Sequence, residues 1–244
     1  MHERHGRSAK DLVDRQVFLW REEARTHGHA SEVPSHGPRA EVLGPYIAIS
    51  RDYGCQAVDL AKAVGERLTW TVYDRELIDE VAREAHLRRS VVESFDEQTR
   101  TWIAEYIGNL TFAAVPTEHD FFNHLVNVVT SIARHGKAIL VGRGANFILP
   151  PAHGLRVRLI APFDYRVRLT ETKHRLTRAE AEQLVRVRDA ERLEYIRHHF
   201  GKSIEDPSSY DTLYNLADVT PDTVIESIVA TARSKLRLET AAAR

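Results

Sequence analysis

From residue 46 onward, short apolar runs of strand length alternate with stretches whose apolar residues recur every three or four positions. That alternation leaves few architectures open. Consecutive parallel strands need crossovers, helices supply them, and the helices then cover both faces of the sheet. The predicted strands are Tyr46–Ser50, Trp70–Tyr73, Ala138–Val141, Leu155–Ile160 and Tyr210–Tyr214. Helices are predicted over Gln56–Leu68, from Asp74 through Leu77, Ile78 and Val81, across Ser90–Leu110 as one or two, over Phe121–Arg134 and over Pro162–Glu171. A long helix is predicted to start at the capping box Thr177-Arg178-Ala179-Glu180, and a closing one at Thr220-Pro221. The fold class expected is α/β, a three-layer parallel sheet with helices on both faces. In such a sheet, ligands sit at the C-terminal ends of the strands.

Residues 1–44 differ from this pattern. Val13, Val17, Trp20 and Ala24 fall at helical spacing, and a stretch rich in Gly, Pro and His follows up to Gly44. The expected organisation is an N-terminal helix with its linker over 1–44 and a main domain over 45–244. The apolar stripe needs a surface to dock on, either the main domain or a second subunit, so a homodimer formed through this helix is one expectation.

Composition removes several function classes. A formal net charge of -1 offers no general attraction for nucleic acid or an anionic membrane. The apolar runs are all shorter than a membrane span, and the N-terminus lacks the apolar core of a secretory signal. The single cysteine, Cys55, excludes an internal disulfide and a cysteine zinc cluster. The 13 histidines include no pair at ligand spacing with a carboxylate partner, so no metal site of the protein's own is expected. A cytoplasmic protein without nucleic-acid or membrane partners is the expectation.

Two loops follow strands at the edge where a ligand would sit. Arg51–Gln56 joins the first strand to a helix, and a helix N-terminus there would present free N–H groups to an anion. The phosphate-loop pattern G-x-x-x-x-G-K-[ST] is absent. Gly54 is the sole glycine, Arg51 the sole cation, and Asp52 stands beside it. An ordinary strand-to-helix turn with a surface Arg–Asp pair is the competing reading. The second loop, Gly142–Asn146, carries Arg143 between two glycines, which let the backbone turn sharply and bring the guanidinium to a ligand.

Three segments resemble the cytidylate kinase-like family. Ile49-Ser50-Arg51-Asp52-Tyr53-Gly54 resembles the family's ISREYGSGG loop. Val72-Tyr73-Asp74-Arg75-Glu76-Leu77-Ile78 resembles its YD[KR]ELI segment, and Val141-Gly142-Arg143-Gly144-Ala145-Asn146-Phe147-Ile148 its VGRGANYIL segment. With weaker echoes, the resemblance runs in order from about residue 46 to 232 and leaves the first 44 residues outside. It implies a P-loop nucleoside monophosphate kinase fold. It also implies ATP with Mg2+ as phosphoryl donor and a nucleotide such as CMP as the small-molecule acceptor. It places Arg51, Tyr53, Gly54, Cys55, Gln56 and Ala57 on the ATP phosphates, and Asp74, Arg75, Gly142 and Arg143 on the acceptor. It places Arg188 and Arg192, four apart and so on one helical face, over the transferring phosphoryl group.

The chain departs from the family in that loop. Cys55 replaces a serine, and Gln56 and Ala57 stand where the family has glycines, so side chains are expected to crowd the phosphate-cradling amides. Two other readings therefore remain: a nucleotide-binding module of the same fold with little or no turnover, and an interaction protein assembling through its N-terminal helix.

Overall fold

A computed structural model describes residues 43–79 and 116–238. The expected N-terminal helix and linker, Val81 and the helices expected over Ser90–Leu110 lie outside the described residues. These fall into two units. One comprises 43–74 and 133–238 and carries the sheet. The other comprises 75–79 and 116–132 and is helical.

In the sheet unit, β1 (Tyr46–Arg51) leads through α1 (Ala57–Leu68) to β2 (Thr71–Tyr73). The helix α2 (Pro116–His135) spans the break between the units, which falls after Ile132. Then come β3 (Ala138–Val141), the short α3 (Ala145–Ile148), β4 (Gly154–Ile160), α4 (Phe163–His174), α5 (Arg178–Phe200), β5 (Thr212–Asn215) and α6 (Pro221–Leu236). The strands form one parallel sheet in the order β2-β3-β1-β4-β5. This is the expected three-layer class, and the five strands are the five predicted from sequence. In the helical unit, residues 75–79 are helical, and α2 keeps Leu125, Val129 and Ile132 out of solvent at helical spacing.

Period-two alternation sorts the strands' side chains between two faces. Ile47, Ile49, Leu155, Val157 and Leu159 join Leu60, Ala61 and Val64 of α1 and Val224, Ile228 and Ala232 of α6 in one apolar cluster. Burying an aliphatic side chain of this size contributes about 1.5–3 kcal/mol, so this layer dominates the unit's stability. The opposite face carries Tyr46, Ala48, Ser50 and Arg158, with α3 and the end of α5 over it, where the rings of Phe147 and Phe200 lie 5.4 Å apart.

Local signals explain the element ends. The Thr177 side chain accepts from the Glu180 N–H while Glu180 reaches back, so the predicted capping box starts α5. Thr220 caps α6 with Pro221 in its first turn. The last strand begins two residues later than predicted. A 3₁₀ turn at Pro207–Ser209 intervenes, and the Tyr210 side chain leaves the strand to donate from its hydroxyl to the Ile204 carbonyl. The helix α3 was not anticipated, because its four residues fall below the length at which periodicity is readable. Among the described residues, no helix is long and apolar enough to cross a membrane.

The strand order fixes where a crevice opens. The chain leaves β1 toward β2 on one side and leaves β4 toward β5 on the other. The C-terminal ends of β1 and β4 therefore flank the switch point.

At the other end of those strands, Asp211 joins three elements. It accepts from the Arg156 backbone N–H at 2.8 Å, from Arg156 Nη2 at 3.1 Å and from Lys235 Nζ at 2.6 Å. Burial alone would raise its pKa, but the Arg156 and Lys235 hydrogen bonds outweigh it and hold the carboxyl below its ordinary value. A depressed folded pKa means the stabilisation is complete above the ordinary value of 3.8 and is lost as pH falls through the folded one. Asp211→Asn should therefore cost about 1–2 kcal/mol at neutral pH. Urea melts at pH 7 and pH 3 should show the gap between the two chains narrowing in acid.

Candidate functional site at the strand ends

The loop after β1 is built around two buried arginines. Arg158 projects from β4, where alternation points it beneath the loop, and it is only 5% exposed. Its guanidinium donates to Ser50 Oγ at 3.2 Å and forms an ion pair with Asp52. Burial, opposed by Arg158 and Arg166, leaves the Asp52 carboxyl above the ordinary carboxylate value. Arg166, from the first turns of α4, donates to the Ala161 carbonyl at 2.9 Å and the Tyr53 carbonyl at 3.1 Å, and it pairs with Asp189 of α5.

The loop backbone threads between these groups. The Tyr53 N–H donates to Asp189 Oδ1 at 2.8 Å. The Tyr53 ring packs on the small apolar core of Val167, Ala181 and Val185 that joins α4 to α5, and Arg192 lies 5.2 Å over that ring. Gly54 has φ +86°, and a Cβ there would come within 2.8 Å of the Arg166 carbonyl oxygen. Glycine is therefore required twice, for the left-handed backbone and for the approach to α4.

Cys55 and Ala57 turn into the apolar core, and Gln56 faces solvent in the left-handed region at φ 46°. The crowding expected from these three side chains takes a different form: the group that meets a loop amide is Asp189. Burial pushes the Cys55 thiol up to about 12, so it is protonated at neutral pH and serves packing. No side chain caps the start of α1, and the Asp59 and Leu60 N–H groups share the Gln56 carbonyl.

The second loop meets the first. Gly142, Arg143 and Gly144 take three successive positive φ values, +91°, 53° and +69°. A Cβ on Gly142 would overlap the Arg51 guanidinium, so the missing side chain is what lets Arg51 cross from β1 onto the second loop. The Gly142 N–H also donates to the Ile49 carbonyl at 3.0 Å. Arg143 stacks 5.6 Å over the Tyr195 ring of α5. Three residues on, the Asn146 side chain is buried, with its amide toward the Tyr210 hydroxyl.

Two cavities flank the first loop. One of about 400 Å³ is lined by Asp52, Arg158, Tyr210, Glu205 and Asn215 among others. The other, about 180 Å³, lies at the start of α1 between Gln56, Leu60, Tyr165, Leu169, Leu216 and Ile225.

The family model of the cytidylate kinase-like family matches residues 46–217, both loops included. The chain belongs to the cytidylate kinase-like family. Among solved structures, an uncharacterized protein from Eubacterium ventriosum is similar at 23% identity. That likeness covers 78% of this chain and 98% of that one, with a TM-score of 0.63. A shikimate kinase from Bacteroides thetaiotaomicron is similar at 16% identity over 79% of this chain and 98% of that one, with a TM-score of 0.42. No curated protein matches.

For a cytidylate kinase-like chain, the expected site residues distribute as follows. Arg51, Tyr53, Gly54, Gly142 and Arg143 all lie at the C-terminal edge of the sheet, and Arg192 reaches it through Tyr53. Arg188 is half exposed and pairs with Glu191 at 2.8 Å. Asp74 follows β2, and Arg75, in the helical unit, lies 3.9 Å from Asp79. Arg158, Arg166, Asp189 and Asn146 were missed as site residues. Asp52, read as a surface partner of Arg51, instead pairs beneath the loop with Arg158.

Gly54→Ala should cost about 1–3 kcal/mol through backbone strain and loss of the α4 contact. Urea denaturation of the two chains measures it, and an unchanged midpoint would mean the loop does not hold this conformation.

Proposed function

We propose that this protein is a nucleotide-binding phosphotransferase that moves a phosphoryl group from ATP to a nucleoside monophosphate of CMP type. The observation that carries the reading is the junction of the two loops. Arg51, rooted in the donor loop, lies across Gly142 beside the acceptor residue Arg143. A donor and an acceptor bound on the two loops would then be held close together, and in phosphoryl transfer such positioning is most of the catalysis.

In this proposal, the open start of α1 and the backbone from Tyr53 to Ala57 receive the ATP phosphates, with Arg51 replacing the usual lysine. The uncapped N–H groups and the positive end of the helix dipole suit that anion. The cavity of about 180 Å³ beside Gln56, with its largely apolar walls, suits the heterocyclic base. Arg143, Gly142 and Asp74 receive the acceptor, and the buried Asn146 amide lies on that side. Arg192, with Arg188 one turn earlier, offsets charge as the phosphoryl group moves. ATP with magnesium would supply the transferable phosphoryl group and neutralise part of its charge. Asp52, paired with Arg158 beneath the loop, would be the carboxylate that the loop itself offers such a metal. A single in-line step needs no covalent intermediate, which accords with a protonated Cys55 thiol.

The occupied Tyr53 amide favours a second reading, a nucleotide-binding module with weak turnover. Phosphorus NMR of ATP and magnesium with each nucleoside monophosphate separates the two. Appearance of ADP and a nucleoside diphosphate supports transfer, and binding without conversion supports the module.

Two variants test the site. Arg143→Ala should weaken CMP binding by about ten- to a hundred-fold, the scale of one charge-assisted phosphate contact, by calorimetry. Equal affinity would remove Arg143 from the acceptor site. Gln56→Gly places glycine at a left-handed position, so the fold should be kept or slightly strengthened while ATP binds more tightly. An unmoved ATP affinity would mean the phosphates do not rest on that turn.

A further inference from the structure

We propose that the Asp189 carboxylate is an intramolecular stand-in for a phosphoryl group, holding the first loop's donor set until an incoming polyphosphate displaces it. This inference rests on the donor-loop reading above.

Three donors from separate elements converge on this carboxylate. The Tyr53 N–H reaches Oδ1 at 2.8 Å, Arg166 Nη1 pairs with Oδ2, and Arg192 Nη1 stands 3.7 Å from Oδ1. A loop amide with two guanidinium forks is the kind of set that binds phosphate oxygens, and carboxylate and phosphate compete for such forks. The set does not depend on Asp189 for its shape. Arg166 is fixed independently by the Ala161 and Tyr53 carbonyls, and Arg192 by its place over the Tyr53 ring. Asp189 itself sits mid-way along α5, whose ends are both capped, so a rotation of one short side chain releases both oxygens without unwinding the helix.

The two anions differ in what they offer. The carboxylate has two oxygens and one negative charge. A terminal phosphoryl group has three oxygens and more charge, so the same donors hold it better. Binding then costs the displacement of Asp189, and the apparent affinity falls by the fraction of chains in which the set is open. The chain thus sets its own threshold for polyphosphate, and the altered loop is closed by a residue more than a hundred positions away.

The test uses the full-length chain and inorganic pyrophosphate. Asp189→Asn keeps the size and an oxygen for the Tyr53 N–H but removes the competing charge. Calorimetry should show pyrophosphate binding about tenfold tighter than in the wild type. The ligand-free melting temperature should be lower, because Arg166 loses its partner, and pyrophosphate should restore it. In the wild-type chain, NMR during the same titration should show the Tyr53 amide and the Asp189 carboxyl resonances moving together, a readout that survives if the variant does not fold. Equal or weaker pyrophosphate binding by the variant, or an unmoved Asp189 carboxyl in a wild-type chain that binds, overturns the stand-in role and leaves the nucleotide reading intact. A wild type and a variant that both fail to bind pyrophosphate and ATP overturn the two together.

Discussion

Arg158 and Arg166 are buried under one loop, and a buried guanidinium must be met by a carboxylate or by carbonyl oxygens. That requirement organises the C-terminal edge of the sheet. Asp52 answers Arg158 from within the loop, and Asp189 answers Arg166 from α5. The strand β4, the loop and the α4–α5 hairpin are thereby tied at one place. Removing one member of such a pair costs about 3–5 kcal/mol, more than most single core contacts, because a charge is left in a dry site. The loop's conformation is consequently set by side chains outside it. A glycine-rich phosphate loop relies on its own backbone. This loop has one glycine and relies on a scaffold of ion pairs.

The fold was legible because its signals are local. Strands of three to seven residues, a capping box at Thr177 and a Thr-Pro start at Thr220 each fix an element without reference to distant residues. The Gly-Arg-Gly turn was legible for the same reason. The ion pairs were not, since Asp52 meets Arg158 106 positions later and Tyr53 meets Asp189 136 positions later. One signal was present and unread. In LRVRLI the alternation places Arg156 and Arg158 on one face of a strand, and a five-stranded sheet whose fourth strand is interior buries that face. An arginine there demands a partner, and the acidic residue in the adjacent loop was the natural candidate. The reading of Asp52 as a surface partner of Arg51 failed because Arg51 had a better place to go, across the bare backbone of Gly142.

This chain's loop differs from the family's in what fills the turn. Cys55 and Ala57 are absorbed into the core, and Gln56 takes the strained turn, so the substitutions themselves do not block the amides. What stands before the Tyr53 N–H is the Asp189 carboxylate, the group that the proposal above has a polyphosphate displace. Under the proposed function, turnover then depends on Arg143 at the acceptor and on Arg188 and Arg192 over the transferring phosphoryl group. The family model covers both loops.

The central claim is that the two loops joined by Arg51 form one nucleotide site. Amide hydrogen exchange followed by mass spectrometry, with ATP, magnesium and CMP added together, tests it most directly. The account predicts that residues 50–57 and 141–147 slow together, while the apolar layer beneath α1 and α6 stays unchanged. Protection of one loop without the other, or of neither while nucleotide is bound, would contradict it.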